Sequence, residues 1–214
     1  MEIFLDTADI NEIKLYKNFI DGVTTNPTLM AKASGGDYVS VAKEICNIVS
    51  GPVSVEVTAQ TREAMLSEAL EIAKISEQVC VKLPCTFDGL EICRTLSKKG
   101  ISTNMTLCFS PLQALMAAKC GATYVSPFVG RLDDICQDGV NLIEEIVNIF
   151  DAYGYETRVL AASIRGVQHF ADVAAIGVDA ITVPSKILKQ CFEHPLTTKG
   201  LEIFNNDWNN VSKK

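Results

Sequence analysis

The sequence predicts an α/β protein of eight parallel strands closed into a barrel, helices outside, with one additional helix at the C-terminus. Short apolar or β-branched runs recur eight times, at residues 3–6, 22–26, 53–57, 79–84, 103–107, 124–129, 159–163 and 180–184. Segments of helical periodicity lie between them, the alternation expected of a parallel sheet covered by helices. Eight repeats fit a (β/α)8, or TIM, barrel. A doubly wound open sheet is the alternative, but no Gly-x-Gly-x-x-Gly follows the first run and the pattern is even throughout.

The elements follow in order. Ile3-Phe4-Leu5-Asp6 opens the chain as a strand, and Asp9 with Glu12 three residues on reads as a capping box for the first helix. Residues 62–76 place Met65, Ala69, Ile72 and Ala73 on one stripe of an amphipathic helix. Ser110-Pro111 followed by Gln113 combines an N-cap, a proline at the first helical position and a reciprocal cap. Gly100, Gly121, Gly154 and Gly177 follow helical runs as stops. After an eighth helix at about 185–193 comes a surplus segment, about 197–210, with Leu201, Phe204 and Trp208 on one face. Such a stripe must dock on its own barrel or on a neighbouring subunit. With no break in composition, residues 1–214 are expected to form a single domain.

Composition narrows the function. Hydrophobic residues make up 48% and mean hydropathy is +0.19, favouring a large apolar interior. The net charge of −7 and absence of a basic stripe argue against nucleic acid. Apolar runs are too short to span a bilayer, and the N-terminus lacks the charged and apolar regions of a secretory leader. The eight cysteines are scattered singly, without Cys-x-x-Cys, and the two histidines lie far apart, so metal and disulfide frameworks fail on spacing. Most cysteines read as small core residues in a reducing, cytoplasmic compartment.

Polar residues gather at strand ends: Asp6, Asn26, Glu56, Lys82, Asn104, Thr106, Ser126, Arg131, Ser163 and Arg165. In a closed barrel the carboxyl ends of all strands share one mouth. Lys82 is the most informative of them, set within Val79-Cys80-Val81-Lys82-Leu83-Pro84. Desolvation there favours a neutral amine, a nucleophile toward carbonyls. The same pattern also fits a lysine that snorkels or pairs with a carboxylate. With the whole set in view, the residues suit imine chemistry on a ketone: Lys82 as nucleophile, Asp6 and Glu56 moving protons, and Asn26 and Asn104 holding hydroxyls. Arg131 and Arg165, with Ser163, suit a phosphate.

Leu5-Asp6-Thr7-Ala8, Gly22-Val23-Thr24-Thr25-Asn26-Pro27, Val81-Lys82-Leu83-Pro84, Thr103-Asn104-Met105-Thr106, Ser126-Pro127-Phe128-Val129-Gly130-Arg131-Leu132-Asp133-Asp134 and Ala161-Ala162-Ser163-Ile164-Arg165 resemble the small transaldolase family, which includes fructose-6-phosphate aldolase. The resemblance runs from Glu2 to Trp208. It implies a class I transfer of a dihydroxyacetone unit from sedoheptulose 7-phosphate to glyceraldehyde 3-phosphate, in the non-oxidative pentose phosphate pathway. It further implies Lys82 as the Schiff-base lysine, Asp6 as acid/base, and Glu56 and Thr106 as holders of the catalytic water. Asn26, Asn104 and Ser126 match the dihydroxyacetone site, and Arg131, Ser163 and Arg165 the phosphate site. No metal or organic cofactor is implied, and pentamer rings stacked as decamers are. Free aldolases of the family carry glutamine at position 56 and tyrosine at 128; Glu56 and Phe128 are the transaldolase pair, with aldolase the alternative. Cys85 and Cys108 depart from the family's apolar residues and read as packing changes.

Overall fold

The computed structural model describes residues 1–35 and 37–211, so the last three positions of the expected 1–214 domain lie outside it. Eight strands form a closed barrel in sequence order: β1 (Glu2–Asp6), β2 (Gly22–Thr24), β3 (Val53–Glu56), β4 (Val79–Pro84), β5 (Thr103–Cys108), β6 (Tyr124–Pro127), β7 (Arg158–Ala161) and β8 (Ala180–Val183). All pairings are parallel, including β1 with β8, which closes the ring. The expected TIM barrel is therefore present.

The helices are α1 (Ile10–Tyr16), α2 (Pro27–Ser34), α3 (Tyr38–Ile48), α4 (Arg62–Ala73), α5 (Phe87–Ser97), α6 (Pro111–Lys119), α7 (Val129–Asp133), α8 (Gly139–Tyr153), α9 (Val167–Ile176), α10 (Ser185–Gln190) and α11 (Pro195–Val211). Two were not separable in the sequence: α2 and α3 share one connection, and α7 precedes α8. On α4 the stripe behaves as expected, with Met65, Ala69 and Ile72 buried, but the helix stops at Ala73. Gly154 and Gly177 are left-handed C-caps at φ 63° and 90°, a conformation glycine adopts without a Cβ penalty.

The predicted caps form with altered partners. Asp9 accepts from the N–H groups of Asn11 and Glu12, but Glu12 does not reciprocate. Its carboxylate instead accepts from the hydroxyls of Thr7 at 2.6 Å and Ser185 at 2.5 Å, tying the loops after β1 and β8 together. Ser110 caps α6 as expected, whereas Gln113 Oε1 reaches one residue further back, to the Phe109 N–H.

Strand alternation explains how the barrel is filled. Odd-numbered residues such as Val53, Val79, Val81 and Met105 face the helices in the main core. Even-numbered residues face inward. Phe4, Cys80, Tyr124, Leu160 and Ala180 form an apolar plug, with Phe4 and Tyr124 packed edge to face at 5.6 Å. Gly22 makes room for it, since a Cβ there would meet the Phe4 ring at 2.5 Å. Beneath the plug, Glu2, Tyr124 and Arg158 are joined by hydrogen bonds of 2.9 and 3.0 Å and an ion pair at 2.8 Å. The amino end of the barrel is thus sealed, and the other polar inward residues, among them Ser54, Lys82, Asn104 and Ser126, lie towards the carboxyl end.

Candidate active site

Lys82 stands inside the barrel and is only 6% exposed. Its neighbours Val81 and Leu83 point outward into the core, so alternation aims the lysine inward, and its place toward the end of β4 sets it above the plug. Nζ donates to the Thr25 carbonyl at 3.0 Å and lies 3.1 Å from Glu56 Oε2. Glu56 is also the residue paired with Lys82 across β3 and β4. From sequence, desolvation of the amine and pairing with a carboxylate read as competing explanations. In the structure both hold at once: the amine is buried and lies within hydrogen-bond reach of a carboxylate.

Asp6, at the end of β1, accepts from Thr24 Oγ1 at 2.9 Å. The Thr24 proton being committed to Asp6, the Thr182 hydroxyl 2.5 Å away donates to Thr24. Burial pushes the Asp6 carboxyl above the usual carboxylate range, and the charge of Lys82 and the Thr24 hydrogen bond pull it back less strongly. The mouth thus holds one primary amine and two carboxyls in different surroundings, the pattern that separates acid from base roles.

A second network runs across β3, β5 and β6. Ser126 Oγ donates to Asn104 Oδ1 at 2.7 Å, and Asn104 Nδ2 donates to Ser54 Oγ at 3.1 Å. The Ser126 oxygen therefore keeps lone pairs to accept from a guest hydroxyl. Thr106 Oγ1 is buried on β5 beside this network and has no hydrogen-bond partner among the described residues. Immediately after it, Leu107 adopts φ 56°, and the β5–β6 register shifts between Met105 and Cys108. Asn26 is less available than the sequence implied. It leaves the strand to cap α2, its Oδ1 accepting from Leu29 N at 3.0 Å, so contact with a guest falls to Nδ2.

The remaining predicted residues lie on the loops after β6 and β7. Phe128 stands at the N-cap position of α7 while still bridging in parallel to Ala162 beyond β7, packs on Phe109 at 5.6 Å and carries Arg131 over its face at 5.0 Å. Ser163 takes φ 59°, a left-handed turn costing a non-glycine residue about 1 kcal/mol or more. Its carbonyl accepts from Gly130 N–H at 3.0 Å. Arg165 crosses that glycine, where a Cβ would lie 2.4 Å from the arginine Cγ, and Nη2 donates to Asp134 Oδ2 at 2.7 Å. Both arginines are exposed at the mouth rim, with Arg165 held in place by an acid.

Ser54, Thr182 and the Thr25 carbonyl were not singled out from sequence. Counting back by two from Glu56 reaches Ser54, so strand alternation would have found it; a carbonyl contact leaves no sequence signal. Among the described residues, no group of three or more His, Cys, Asp or Glu side chains is arranged to hold a metal ion.

A model of the family described as Transaldolase/Fructose-6-phosphate aldolase matches residues 3–214. The chain belongs to that family. It is 55% identical over 216 residues to a "Probable transaldolase" of Rhizobium meliloti (strain 1021), with 100% of this chain and 99% of the relative covered. A protein of the same name from Brucella anthropi is 54% identical, with the same coverage. A solved Coccidioides immitis chain, described as a candidate fructose-1,6-biphosphate aldolase, superposes with a TM-score of 0.56 at 17% identity, covering 95% of this chain and 84% of the other. That likeness concerns the barrel alone. Membership of the transaldolase/fructose-6-phosphate aldolase family makes the chain an enzyme of aldolase or transaldolase type. Among the described residues, no helix is long and apolar enough to cross a membrane.

Proposed function

We propose that the chain is a transaldolase that moves a dihydroxyacetone unit from sedoheptulose 7-phosphate to glyceraldehyde 3-phosphate through a Schiff base on Lys82. The observation that carries the proposal is the Lys82 amine, buried in the barrel mouth 3.1 Å from a carboxylate. Lys82 passes a proton to Glu56 and attacks the C2 carbonyl of the donor. Loss of water leaves an iminium, which draws electrons from the neighbouring C–C bond. Glu56 and the unpartnered Thr106 hydroxyl hold the water that leaves and later returns. Asp6 takes the proton of the C4 hydroxyl as the C3–C4 bond breaks, releasing the first aldehyde and leaving an enamine. The enamine attacks the acceptor aldehyde, and Asp6 returns the proton to the new hydroxyl. Asn26 Nδ2, Asn104 and Ser126 orient the dihydroxyacetone hydroxyls. Arg131, Ser163 and Arg165 grip the phosphate at the far end, where guanidinium forks match its oxygens.

No step calls for a metal or organic cofactor. The reaction belongs to the cytoplasmic, non-oxidative pentose phosphate pathway. We further propose a homo-oligomer built of pentamer rings, with α11 docked on a neighbour. The support is that α11 has no buried residue, and Leu201, Phe204 and Trp208 stand exposed.

The test is acceptor dependence. Fructose 6-phosphate should be consumed at least about 100-fold faster when erythrose 4-phosphate is supplied, with sedoheptulose 7-phosphate as product. Equal consumption without an acceptor favours the second reading, a fructose-6-phosphate aldolase. The residue expected to decide between the two is Phe128, whose ring offers no proton to the enamine. Phe128→Tyr is therefore expected to raise acceptor-free cleavage about tenfold or more, within the range general-acid catalysis supplies. An unchanged ratio of cleavage to transfer would remove position 128 from that role.

A further inference from the structure

His169 lies outside the machinery described above yet touches it at a defined point. It sits in the first turn of α9, whose N-cap, Gly166, supplies no side-chain hydrogen bond. Its imidazole reaches back past the N-cap to the preceding loop: Nδ1 accepts from the Arg165 backbone N–H at 3.3 Å. An imidazole that accepts at Nδ1 carries its proton on Nε2. Nε2 is the nitrogen that faces an acid, 2.9 Å from Asp133 Oδ2. The other oxygen of Asp133 accepts from Gly139 N–H at 3.0 Å, anchoring the carboxylate to the start of α8. The next residue, Asp134, holds the Arg165 guanidinium. Two consecutive acids at the end of α7 therefore grip Arg165 at both ends, the side chain directly and the backbone through His169.

We propose that His169, fixed by Asp133 as the Nε2–H tautomer, is a positioning residue that sets the Arg165 fork at the angle a phosphate monoester requires. The inference rests on Arg165 being a phosphate anchor, as set out above. Arg165 is exposed and its rotamers are many, so unaided it would sample orientations that a bidentate contact cannot use. Ser163, two residues earlier, is already turned by its left-handed φ and by the Gly130 contact. His169 completes the loop from the other side, and oriented carboxylate–imidazole pairs are a recurrent means of fixing a ring.

The test separates positioning from packing alone. His169→Phe keeps the ring volume and removes both nitrogens; His169→Gln keeps an acceptor for Arg165 N–H and a donor for Asp133. In the Phe variant, the KM for fructose 6-phosphate is expected to rise about five- to tenfold, the effect of about one lost hydrogen bond. The kcat, and the KM for unphosphorylated fructose, are expected to change less than about twofold, and the Gln variant to return the phosphate-dependent KM most of the way. Equal KM losses on both sugars, no loss on either, or a Gln variant no better than Phe would each overturn the proposal. Arg165→Gln serves as the control. If it leaves the preference for phosphorylated sugar intact, the phosphate site itself is misassigned; if it destroys the preference while His169→Phe does not, positioning alone fails. Should the Phe variant not fold, nitrogen NMR of the wild-type protein decides, since the chain has only two histidines. The neutral ring of His169 should give the Nε2–H signature, and an Nδ1–H signature excludes the role.

Discussion

Replacing Lys82 with methionine is expected to abolish the borohydride-stable adduct formed with fructose 6-phosphate and to lower kcat/KM by at least about 10⁴-fold, the scale of losing a covalent nucleophile. Methionine preserves volume and apolar packing, so the loss reports on the amine. The substitution also removes the cation beside Glu56, whose side chain is 14% exposed and so keeps access to water. The variant should therefore fold, and near-wild-type circular dichroism alongside lost adduct is the expected pair of results. Mass spectrometry after reduction, with and without substrate, makes the measurement. A substrate-dependent mass increase that persists in the methionine variant would place the imine on another lysine.

Much of the candidate site's layout is legible in the sequence. A charge inside a β-branched run is a local contradiction, and such contradictions concentrate at functional sites; Lys82 was legible for that reason. Glu56 and Asp6 were legible because barrel geometry turns strand ends into neighbours. The boundaries were less so. Runs 22–26, 53–57, 124–129, 159–163 and 180–184 each read one or two residues too long at their carboxyl ends, because strand-type side chains such as Thr25, Val57, Phe128 and Val129 continue past the last regular ladder pair. At Asn26-Pro27 the cap-then-proline signal was present in the sequence but was overridden by the apolar run before it. Thr182 stayed hidden because a threonine within Ala180-Ile181-Thr182-Val183 has the shape of valine. His169 stayed hidden because its partners, Arg165 four residues back and Asp133 far back on α7, are assembled only by the fold. The C-terminal stripe was plain in the sequence, and in the structure it stands exposed along α11.

Asp6→Asn is expected to separate the two halves of the reaction and, at the same time, to stabilise the fold. Asparagine keeps an Oδ1 to accept from Thr24 but cannot take a proton from the donor hydroxyl. In the proposed mechanism the imine forms through Lys82 and Glu56, so borohydride is expected still to trap the adduct with dihydroxyacetone, while C–C cleavage falls about 10²- to 10⁴-fold, the share of a positioned acid/base. The stability effect follows from the direction of the Asp6 shift. Its folded-state pKa lies above the unfolded value, with burial as the leading cause. The folded state therefore holds this proton more tightly than the unfolded chain, and ionised Asp6 opposes folding. That cost is absent below the unfolded pKa, near 3.8, grows as pH rises through the folded value, and is constant above it. Asp6→Asn should accordingly raise Tm at pH 7, with the gain shrinking as the pH is lowered toward 4. A gain of equal size at both pH values, or a lower Tm at pH 7, would show that burial does not govern this carboxyl. Loss of the trapped adduct in parallel with cleavage would instead move Asp6 into the imine-forming step, alongside Glu56.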